Sequence, residues 1–416
     1  MILTPVQKTR RQLVGGVNFV VCSFLHQRTL FQKQKGSATR MQTEVVSVTA
    51  EDVEANRAPL LLQSAVRMLR AGQPVAMPTE TVYGLAANAL DSAACQRIYA
   101  VKNRPADNPL IVHISSLAML RLLVQPSLAS EEGRDELDQL MVPEELKPIL
   151  RRFWPGPLTV LLPKREGVPD VVTAGLRTVA VRFPAHPVAK ALIEAAGFPL
   201  AAPSANLSGR PSPTTAAHVL HDLDGRISVI VDGGPCGLGL ESTVLDATRS
   251  PPVILRPGSI TQKMLLPYLN DVQLFGQNGT KDGEMEEEME RPSTPGMKYR
   301  HYSPSSPVVL FSCDSSTGLT NQSSIIQFCR EELAKGKRIV RLANSLDPMI
   351  DEKILPVPTI YLSHNGGLET IAKNLFKGLR DADALKPDWI LAEGVIEDDQ
   401  GAAVMNRLSK AASYTY

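Results

Sequence analysis

The chain has 416 residues, of which 43% are hydrophobic and 21% are charged. At about 150 residues per domain, this length predicts two or three domains, and the apolar fraction excludes wholesale disorder. Lysine and arginine together number 44 against 43 acidic residues, a formal charge of +1, so a site for nucleic acid or nucleotide phosphates must be a local patch.

Residues 1–42 differ from the rest of the chain in charge. Seven basic residues lie between Lys8 and Arg40, and no acidic residue precedes Glu44. This pattern is typical of an organelle-import leader, and a disordered basic tail is an equally good interpretation. The apolar run at residues 13–25 is shorter than the ~18 residues that a membrane span needs, so we expect no membrane contact. We expect a cytoplasmic protein, or a mitochondrial one for a form that retains residues 1–42.

Strand-like and helix-like segments alternate over residues 43–268 and predict an α/β domain with a twisted sheet. Several strands follow one another closely, which implies antiparallel pairing as well. The predicted helices cover residues 60–70, 91–101 and 187–196. The predicted strands cover residues 74–77, 110–114, 158–162, 178–183, 200–202, 227–231, 243–246 and 253–255.

Residues 269–306 have no periodicity and carry a dense acidic run at 281–291, which is typical of a solvated linker. A second and smaller α/β pattern covers residues 307–416. Its predicted strands cover residues 308–311, 338–342, 359–362 and 389–392, and its predicted helices cover residues 322–335, 368–379 and 402–412.

Several common signatures are missing from the sequence. It contains no GxxxxGK[ST], GxGxxG, HExxH or GxSxG motif, which disfavours P-loop kinases and dinucleotide dehydrogenases. The odd number of cysteines and the lack of a CxxC pair disfavour a disulfide framework and a structural zinc site. Five cysteines are scattered along the chain: Cys22, Cys95, Cys236, Cys313 and Cys329.

Four basic residues lie in loops or at strand ends of the first domain. Lys102 and Arg104 are two positions apart in a proline-punctuated stretch, and in extended backbone they would point the same way, toward a polyphosphate. Arg182 and Arg256 each end an apolar strand, where a buried guanidinium needs an anionic partner. For Arg182 that partner is either an internal carboxylate or the carboxylate of a substrate.

Other polar segments are weaker signals by themselves. Residues 78–85 (PTETVYGL) follow a strand, and residues 202–214 (APSANLSGRPSPT) lie between a strand and a helix that Thr214 is placed to cap. His113 lies within a strand and by default is a core histidine. Residues 151–190 hold seven basic and two acidic residues, a local positive stretch that nucleic acid or nucleotide phosphates would favour.

Taken in order, these motifs resemble the threonylcarbamoyl-AMP synthase family. The motifs that carry the resemblance are PTETVYGL, KNRPADNPLIVHI, TVAVRFP, APSANLSGRPSPT, ESTVLD and LRPGSI, followed by STPGMKYRHYSP at residues 293–304. The resemblance implies an α/β YrdC-like domain with a twisted mixed sheet and a large concave cavity. It also implies a smaller Rossmann-like C-terminal domain.

The resemblance implies a nucleotidyltransferase that makes threonylcarbamoyl-AMP from L-threonine, bicarbonate or CO₂, and ATP, and releases pyrophosphate. It assigns Lys102 and Arg104 to catalysis. The residues implied for threonine are Thr81, His113, Arg182, Ala202 and Ser242. The residues implied for ATP are Arg104, Asn108, Thr178, Ser204, Ser212, Arg256 and Tyr302, the last on a lid over the cavity. We expect Mg²⁺ to arrive with ATP, because no carboxylate cluster marks a metal site of the protein.

The implied partner is a downstream tRNA threonylcarbamoyl transferase, with contact to tRNA or double-stranded RNA as a further expectation. Two alternatives to this enzyme remain. An RNA-binding module would use the positive stretch without catalysis, although few aromatic residues interleave with it. A carbamoyl-transfer maturation factor would share the fold, although such proteins normally add CxxC fingers.

Overall fold

The computed structural model describes residues 42–126, 136–276, 294, 301–313, 321–345 and 355–416. The predictions for the basic segment up to residue 41 and for the acidic run at 281–291 lie outside these residues. Among the described helices, none is long and apolar enough to cross a membrane.

A mixed eleven-stranded sheet organises the first domain. Its strands are β1 (Glu44–Ser47), β2 (Val75–Met77), β3 (Gly84–Asn88), β4 (Ile111–His113), β5 (Leu158–Pro163), β6 (Thr178–Arg182), β7 (Leu200–Ala201), β8 (Val229–Asp232), β9 (Thr243–Asp246), β10 (Val253–Arg256) and β11 (Gln273–Leu274). They lie in the order β1-β8-β2-β3-β7-β4-β6-β5-β9-β10-β11. The sheet combines parallel pairs such as β4 with β6 and antiparallel pairs such as β5 with β6. This confirms the predicted α/β fold with a mixed sheet.

Ten described helices accompany this sheet. They are α1 (Ala50–Glu54), α2 (Ala58–Leu61), α3 (Gln63–Arg70), α4 (Ser92–Lys102), α5 (Leu117–Leu120), α6 (Leu146–Phe153), α7 (Asp170–Thr173), α8 (Pro187–Ala196), α9 (Ala216–Leu223) and α10 (Gln262–Leu265). Asp91 caps α4 by accepting hydrogen bonds from the backbone N–H groups of Ala93 and Ala94. Helix α8 begins at Pro187, and Gly197 caps its C-terminal end with a φ of 85°, a left-handed conformation that suits glycine.

Apolar clusters cover both faces of the sheet. One joins α4 to buried strand residues such as Leu85 and Val181. Another packs α3 and α8 against strand residues such as Met77 and Val231. Burial on both faces explains why these strands are almost wholly apolar.

The second domain contains a five-stranded sheet in which every pair is parallel. Its strands are β12 (Val308–Phe311), β13 (Ile339–Ala343), β14 (Thr359–Tyr361), β15 (Trp389–Glu393) and β16 (Tyr414–Thr415), and its described helices are α11 (Gln322–Ala334), α12 (Leu368–Ala384) and α13 (Ala402–Ala411). This all-parallel sheet with helices between its strands matches the Rossmann-like prediction.

The two domains share an apolar contact. Val82 and Leu240 of the first domain belong to the same buried cluster as Phe376 on α12 and Leu408 on α13. Ion pairing supports this contact, since Arg380 on α12 approaches the fully buried Asp222 side chain to 2.8 Å. The C-terminal domain therefore packs directly against the loops at Val82 and Leu240, which border the cavity described below.

Three local predictions differ from the structure. Helix α9 is capped by Thr215, whose hydroxyl accepts from the backbone N–H of His218, and not by Thr214. Residues 60–70 form two helices that meet at Leu62. The first sheet also continues to β11, beyond the domain boundary that we predicted near residue 268.

Candidate active site

A cavity is lined by residues of the first sheet, of its loops and of the segment at residues 301–302. Ile111 and His113 on β4 and Arg182 on β6 point into it, because alternate residues of a strand share one face. The described residues that line it are Thr79, Thr81, Val82, Gly84, Arg104, Ile111, His113, Arg182, Ala202, Pro203, Ser204, Glu241, Ser242, Arg256, His301 and Tyr302. The cavity thus collects residues from most of the motifs noted in the sequence.

Arg182 has partners on three sides and is 4% exposed. Its Nη1 donates to Thr81 Oγ1 at 2.7 Å, and its Nε donates to the Gly156 carbonyl at 3.2 Å. Glu80 Oε1 lies 2.7 Å from Nη2 as an ion pair, without the alignment of a hydrogen bond. Burial raises the pKa of Glu80, but the Arg182 guanidinium more than offsets this and holds that pKa below its usual value. An internal carboxylate therefore accompanies Arg182, and Nη2 still has hydrogen-bonding capacity.

His113 lies opposite Arg182 in the register of β4 and β6. Burial, reinforced by the Arg182 guanidinium, lowers the pKa of His113 to about 3. Its Nδ1 is buried without a hydrogen-bond partner. The ring is therefore neutral at pH 7 and can take part in a hydrogen bond to a ligand.

Arg104 lines the cavity from the loop after α4. Its Nε donates to the Asn108 carbonyl at 3.2 Å, and its Nη2 donates to the Pro109 carbonyl at 2.9 Å. Burial lowers the pKa of Arg104 to about 10, which leaves it charged at pH 7. The Asn108 side-chain oxygen is buried and has no partner, so this loop presents one fixed cation and one unused acceptor.

Lys102 does not lie in extended backbone, and that part of the prediction is wrong. It is the last residue of α4, and Asn103 follows in the left-handed conformation with φ 52°. The Lys102 Nζ donates to the carbonyl oxygens of Ser204 and Asn206 and does not line the cavity. Burial and the neighbouring Arg104 guanidinium lower the pKa of Lys102 well below its usual value.

Arg256 and Ser242 form a second cationic corner. The Nε and Nη2 of Arg256 donate to the Ser242 carbonyl at 3.1 and 3.0 Å, and Nη2 also reaches Ser242 Oγ at 3.2 Å. Ser242 Oγ lies 2.7 Å from Thr159 Oγ1. The hydroxyl is therefore held in one orientation at the cavity wall.

Glu241 is a carboxylate of the cavity lining that the sequence analysis did not select. Its Oε1 accepts from Ser212 Oγ, and its Oε2 accepts from Arg407 Nε at 3.1 Å. Burial raises the pKa of Glu241, but Arg407 and Arg256 together hold it below its usual value. Its position directly before Ser242 in the ESTVLD motif was the available signal.

Tyr302 closes one side of the cavity and is 1% exposed. Its ring centroid lies 5.1 Å from that of Phe376 in the C-terminal domain. The preceding His301 donates its backbone N–H to the Lys410 carbonyl at 3.1 Å. The described part of the predicted lid is thus anchored by the second domain.

The structure brings together most of the predicted site residues. Those that line the cavity are Thr81, Arg104, His113, Arg182, Ala202, Ser204, Ser242, Arg256 and Tyr302. Lys102, Asn108 and Ser212 lie behind the lining, each in contact with it. Thr178 begins β6, four positions before Arg182, and does not line this cavity. Besides Glu241, the prediction missed Thr79, Val82, Gly84, Ile111, Pro203 and His301, all of which lie within or beside the motifs.

The geometry disfavours the RNA-binding alternative. Arg104, Arg182 and Arg256 are at most 8% exposed, so they cannot reach the backbone of a nucleic acid duplex. Of the seven cations at 151–190, Arg182 alone lines the cavity, and Lys164 pairs with Asp170 at 2.5 Å. In the described part of the chain, no group of three His, Cys, Asp or Glu side chains is placed to hold a metal ion.

Family models match both domains of the chain. The model Sua5_yciO_yrdC, described as telomere recombination, matches residues 67–258. The model Sua5_C, described as the C-terminal domain of threonylcarbamoyl-AMP synthase, matches residues 260–413. The cavity therefore lies in a Sua5/YrdC-type domain that carries a Sua5-type second domain.

Relatives match over nearly their whole length. The threonylcarbamoyl-AMP synthase of Bacillus subtilis is 43% identical over 89% of this chain and 98% of its own. That of Schizosaccharomyces pombe is 43% identical over 85% and 89%. The crystal structure of Pyrococcus abyssi Sua5 complexed with L-threonine is 40% identical, with a TM-score of 0.73 over 90% of this chain and 100% of that one. The chain belongs to the threonylcarbamoyl-AMP synthase family, which confirms the resemblance seen in its motifs.

Proposed function

We propose that this chain is a nucleotidyltransferase that condenses L-threonine, bicarbonate or CO₂, and ATP into threonylcarbamoyl-AMP and pyrophosphate. One observation carries the proposal: Arg104, Arg182 and Arg256 meet in one cavity, and among the described residues of its lining Glu241 is the single carboxylate. A water-poor cavity with fixed cations stabilises anionic substrates far better than a solvated surface does.

The threonine end of the reaction fits the corner around Arg182. A guanidinium has five N–H donors, and here the Nε donor and one Nη1 donor are already engaged. The Nη2 nitrogen lies 2.7 Å from Glu80 Oε1 without hydrogen-bond alignment. A substrate carboxylate would therefore use the second Nη1 donor and share Nη2 with Glu80. Thr81 and Ser242 carry hydroxyls that can test for the hydroxyl of threonine, and a site built this way discriminates strongly against amino acids that lack it.

The nucleotide end fits the corner around Arg104 and Arg256, with the unused Asn108 oxygen and the Ser204 hydroxyl nearby. Carboxylation of the threonine amine, by bicarbonate with loss of water or by CO₂ with loss of a proton, yields a carbamate. An oxygen of this carbamate attacks the α-phosphorus while pyrophosphate leaves. The protein contributes mainly by holding two anions together and offsetting the developing charge. Nothing in this step requires a nucleophile from the enzyme.

Mg²⁺ would enter with ATP in this proposal. The one carboxylate of the lining, Glu241, already accepts from Ser212 and Arg407. The cavity lining therefore suits a Mg²⁺ ion that would be coordinated mainly by phosphate oxygens and would stabilise the negative charge of the pyrophosphate. The product would then be consumed by a tRNA threonylcarbamoyl transferase.

The test is pyrophosphate release by the full-length chain with ATP and Mg²⁺, omitting threonine and bicarbonate in turn. We expect release to require both, and serine to replace threonine better than alanine does because serine retains the hydroxyl. Release that is indifferent to threonine would contradict the proposal. Salt-sensitive tRNA binding without any turnover would favour the RNA-binding alternative instead.

A further inference from the structure

Arg407 reaches from the C-terminal domain into the wall of the cavity. It lies on α13 and is 0% exposed. Its Nε donates to Glu241 Oε2 at 3.1 Å, and its Nη2 donates to the Glu241 carbonyl at 3.3 Å. Its Nη1 donates to the Pro257 carbonyl, next to Arg256. Arg407 of the C-terminal domain thus forms hydrogen bonds with the loop of the first domain that carries Glu241.

The same guanidinium touches the lid. Its central carbon lies 5.8 Å from the ring centroid of Tyr302, within the range of a cation–π contact. Arg407 therefore contacts both Glu241 in the cavity wall and Tyr302 in the lid. It does not itself line the cavity, so any effect on substrate passes through these two residues.

Glu241 is an obstacle to a polyphosphate unless its charge is offset. It lines the same cavity as the cations expected to hold the nucleotide, and like charges in a low-dielectric site repel strongly. Arg256 directs its Nε and Nη2 to Ser242. The charges of Arg407 and Arg256 both lower the pKa of Glu241, and the Nε of Arg407 donates directly to its carboxylate.

We propose that Arg407 is a positioning residue that neutralises Glu241 from the second domain, so that ATP can enter a cavity with a carboxylate in its wall. The proposal rests on the proposed function for the identity of the nucleotide. It gives the C-terminal domain a role in nucleotide binding. Glu241 has a structural role at this position, because its Oε1 accepts from Ser212 Oγ and fixes that hydroxyl. The charge of Arg407 makes this carboxylate compatible with a bound polyphosphate.

The test compares full-length variants by their KM for ATP in threonine-dependent pyrophosphate release, and by their thermal midpoints. Arg407→Met keeps most of the side-chain volume and removes the charge, so the KM for ATP should rise about tenfold or more. Glu241→Gln in the same chain removes the repulsive charge. The double variant should return to within about threefold of wild type.

Arg380 offers a matched control. It also joins the domains through a buried carboxylate, Asp222, which does not line the cavity. Arg380→Met should lower the thermal midpoint and change the KM for ATP by less than about threefold. If it raises that KM as much as Arg407→Met does, loss of domain docking explains both effects and the proposal is wrong.

A purely structural role for Arg407 predicts a different outcome. In that case the double variant stays as weak as Arg407→Met, and the proposal is overturned. If Arg407→Met does not fold, Arg407→Gln replaces it in the same comparison, because glutamine keeps a polar side chain and removes the charge. A KM for ATP within about threefold of wild type in folded Arg407→Gln overturns the proposal. If the wild-type chain shows no threonine-dependent pyrophosphate release, the proposed function is wrong. The role of Arg407 would then be tested by calorimetry, in which the Kd for ATP of the same variants should follow the pattern expected for the KM.

Discussion

His113 and Arg182 are register partners on the adjacent parallel strands β4 and β6, and both side chains face the cavity. The neighbouring guanidinium and burial keep His113 uncharged. A cation and a neutral ring are thus fixed side by side on a rigid sheet. This pair can present a charge to a carboxylate and a neutral hydrogen-bonding group next to it without competing for the same proton.

Arg182→Ala should abolish the response to threonine while largely sparing ATP binding. Loss of a buried charged contact to a substrate typically costs about 2–5 kcal/mol, so kcat/KM for threonine should fall roughly 30- to 5,000-fold. The measurement is pyrophosphate release against threonine concentration, with the KM for ATP determined in parallel. Arg182→Ala with Glu80→Gln is the control, because it removes the unpaired carboxylate that the single variant leaves behind. Normal threonine dependence in either variant would refute our assignment of Arg182.

Acid should destabilise the fold through His113. Its pKa is about 3 in the folded chain, against about 6.5 when unfolded. Between these values the unfolded chain binds more protons, so the free energy of unfolding falls as pH is lowered from about 6.5 toward 3, by at most ~1.4 kcal/mol per pH unit. His113→Gln should flatten this slope in urea unfolding measured from pH 7 to 4. The comparison at pH 8 isolates the packing loss, and an unchanged slope would contradict the prediction.

Much of the fold was predictable because its signals are local. The cap at Asp91, the proline start at Pro187 and the glycine stop at Gly197 each depend on backbone chemistry within one turn. Short apolar strands could be recognised for the same reason. The break at Leu62 was not predictable, since both flanking helices share one apolar periodicity.

The site was only partly predictable because its decisive contacts are distant in sequence. Arg182 could be selected since a lone arginine ending an apolar strand needs a partner. Glu80 and Thr81, its partners, lie a hundred residues earlier. The contact between Glu241 and Arg407 joins two domains, and no spacing within either motif encodes it. The motif KNRPADNPLIVHI was recognised, but its sequence did not show that α4 extends to Lys102 and that Asn103 follows it in the left-handed conformation.

Lys102→Ala should slow turnover, because it removes the Nζ donor that holds the loop of Ser204 and Asn206 through their carbonyl oxygens. A buried carbonyl left without a partner costs about 1–3 kcal/mol, so the loss should be roughly 10- to 100-fold. The loss should therefore appear in kcat and in the KM for ATP together, because Ser204 lines the cavity. Lys102→Arg is the control, since it keeps the charge in a bulkier head. Full activity in Lys102→Ala would show that the ammonium is dispensable.

Gly239→Ala should loosen the docking of the two domains. A Cβ at this position would lie 2.2 Å from the Lys373 carbonyl oxygen on α12, and φ is 78°. Such overpacking typically costs about 1–3 kcal/mol, in addition to about 1 kcal/mol for the left-handed backbone. Thermal unfolding should show a lower midpoint or two separated transitions.

Gly336→Ala is the matched control for this prediction. Gly336 has a similar φ of 75°, but a Cβ there would meet nothing within 4 Å. It should therefore show the backbone cost alone. Because Gly239 lies two residues before Glu241, a shift of its loop should move Glu241 away from Arg407 and raise the KM for ATP, whereas Gly336→Ala should leave that KM unchanged. Equal loss of stability in both variants would mean that the close approach of Gly239 to Lys373 does not hold the domains together.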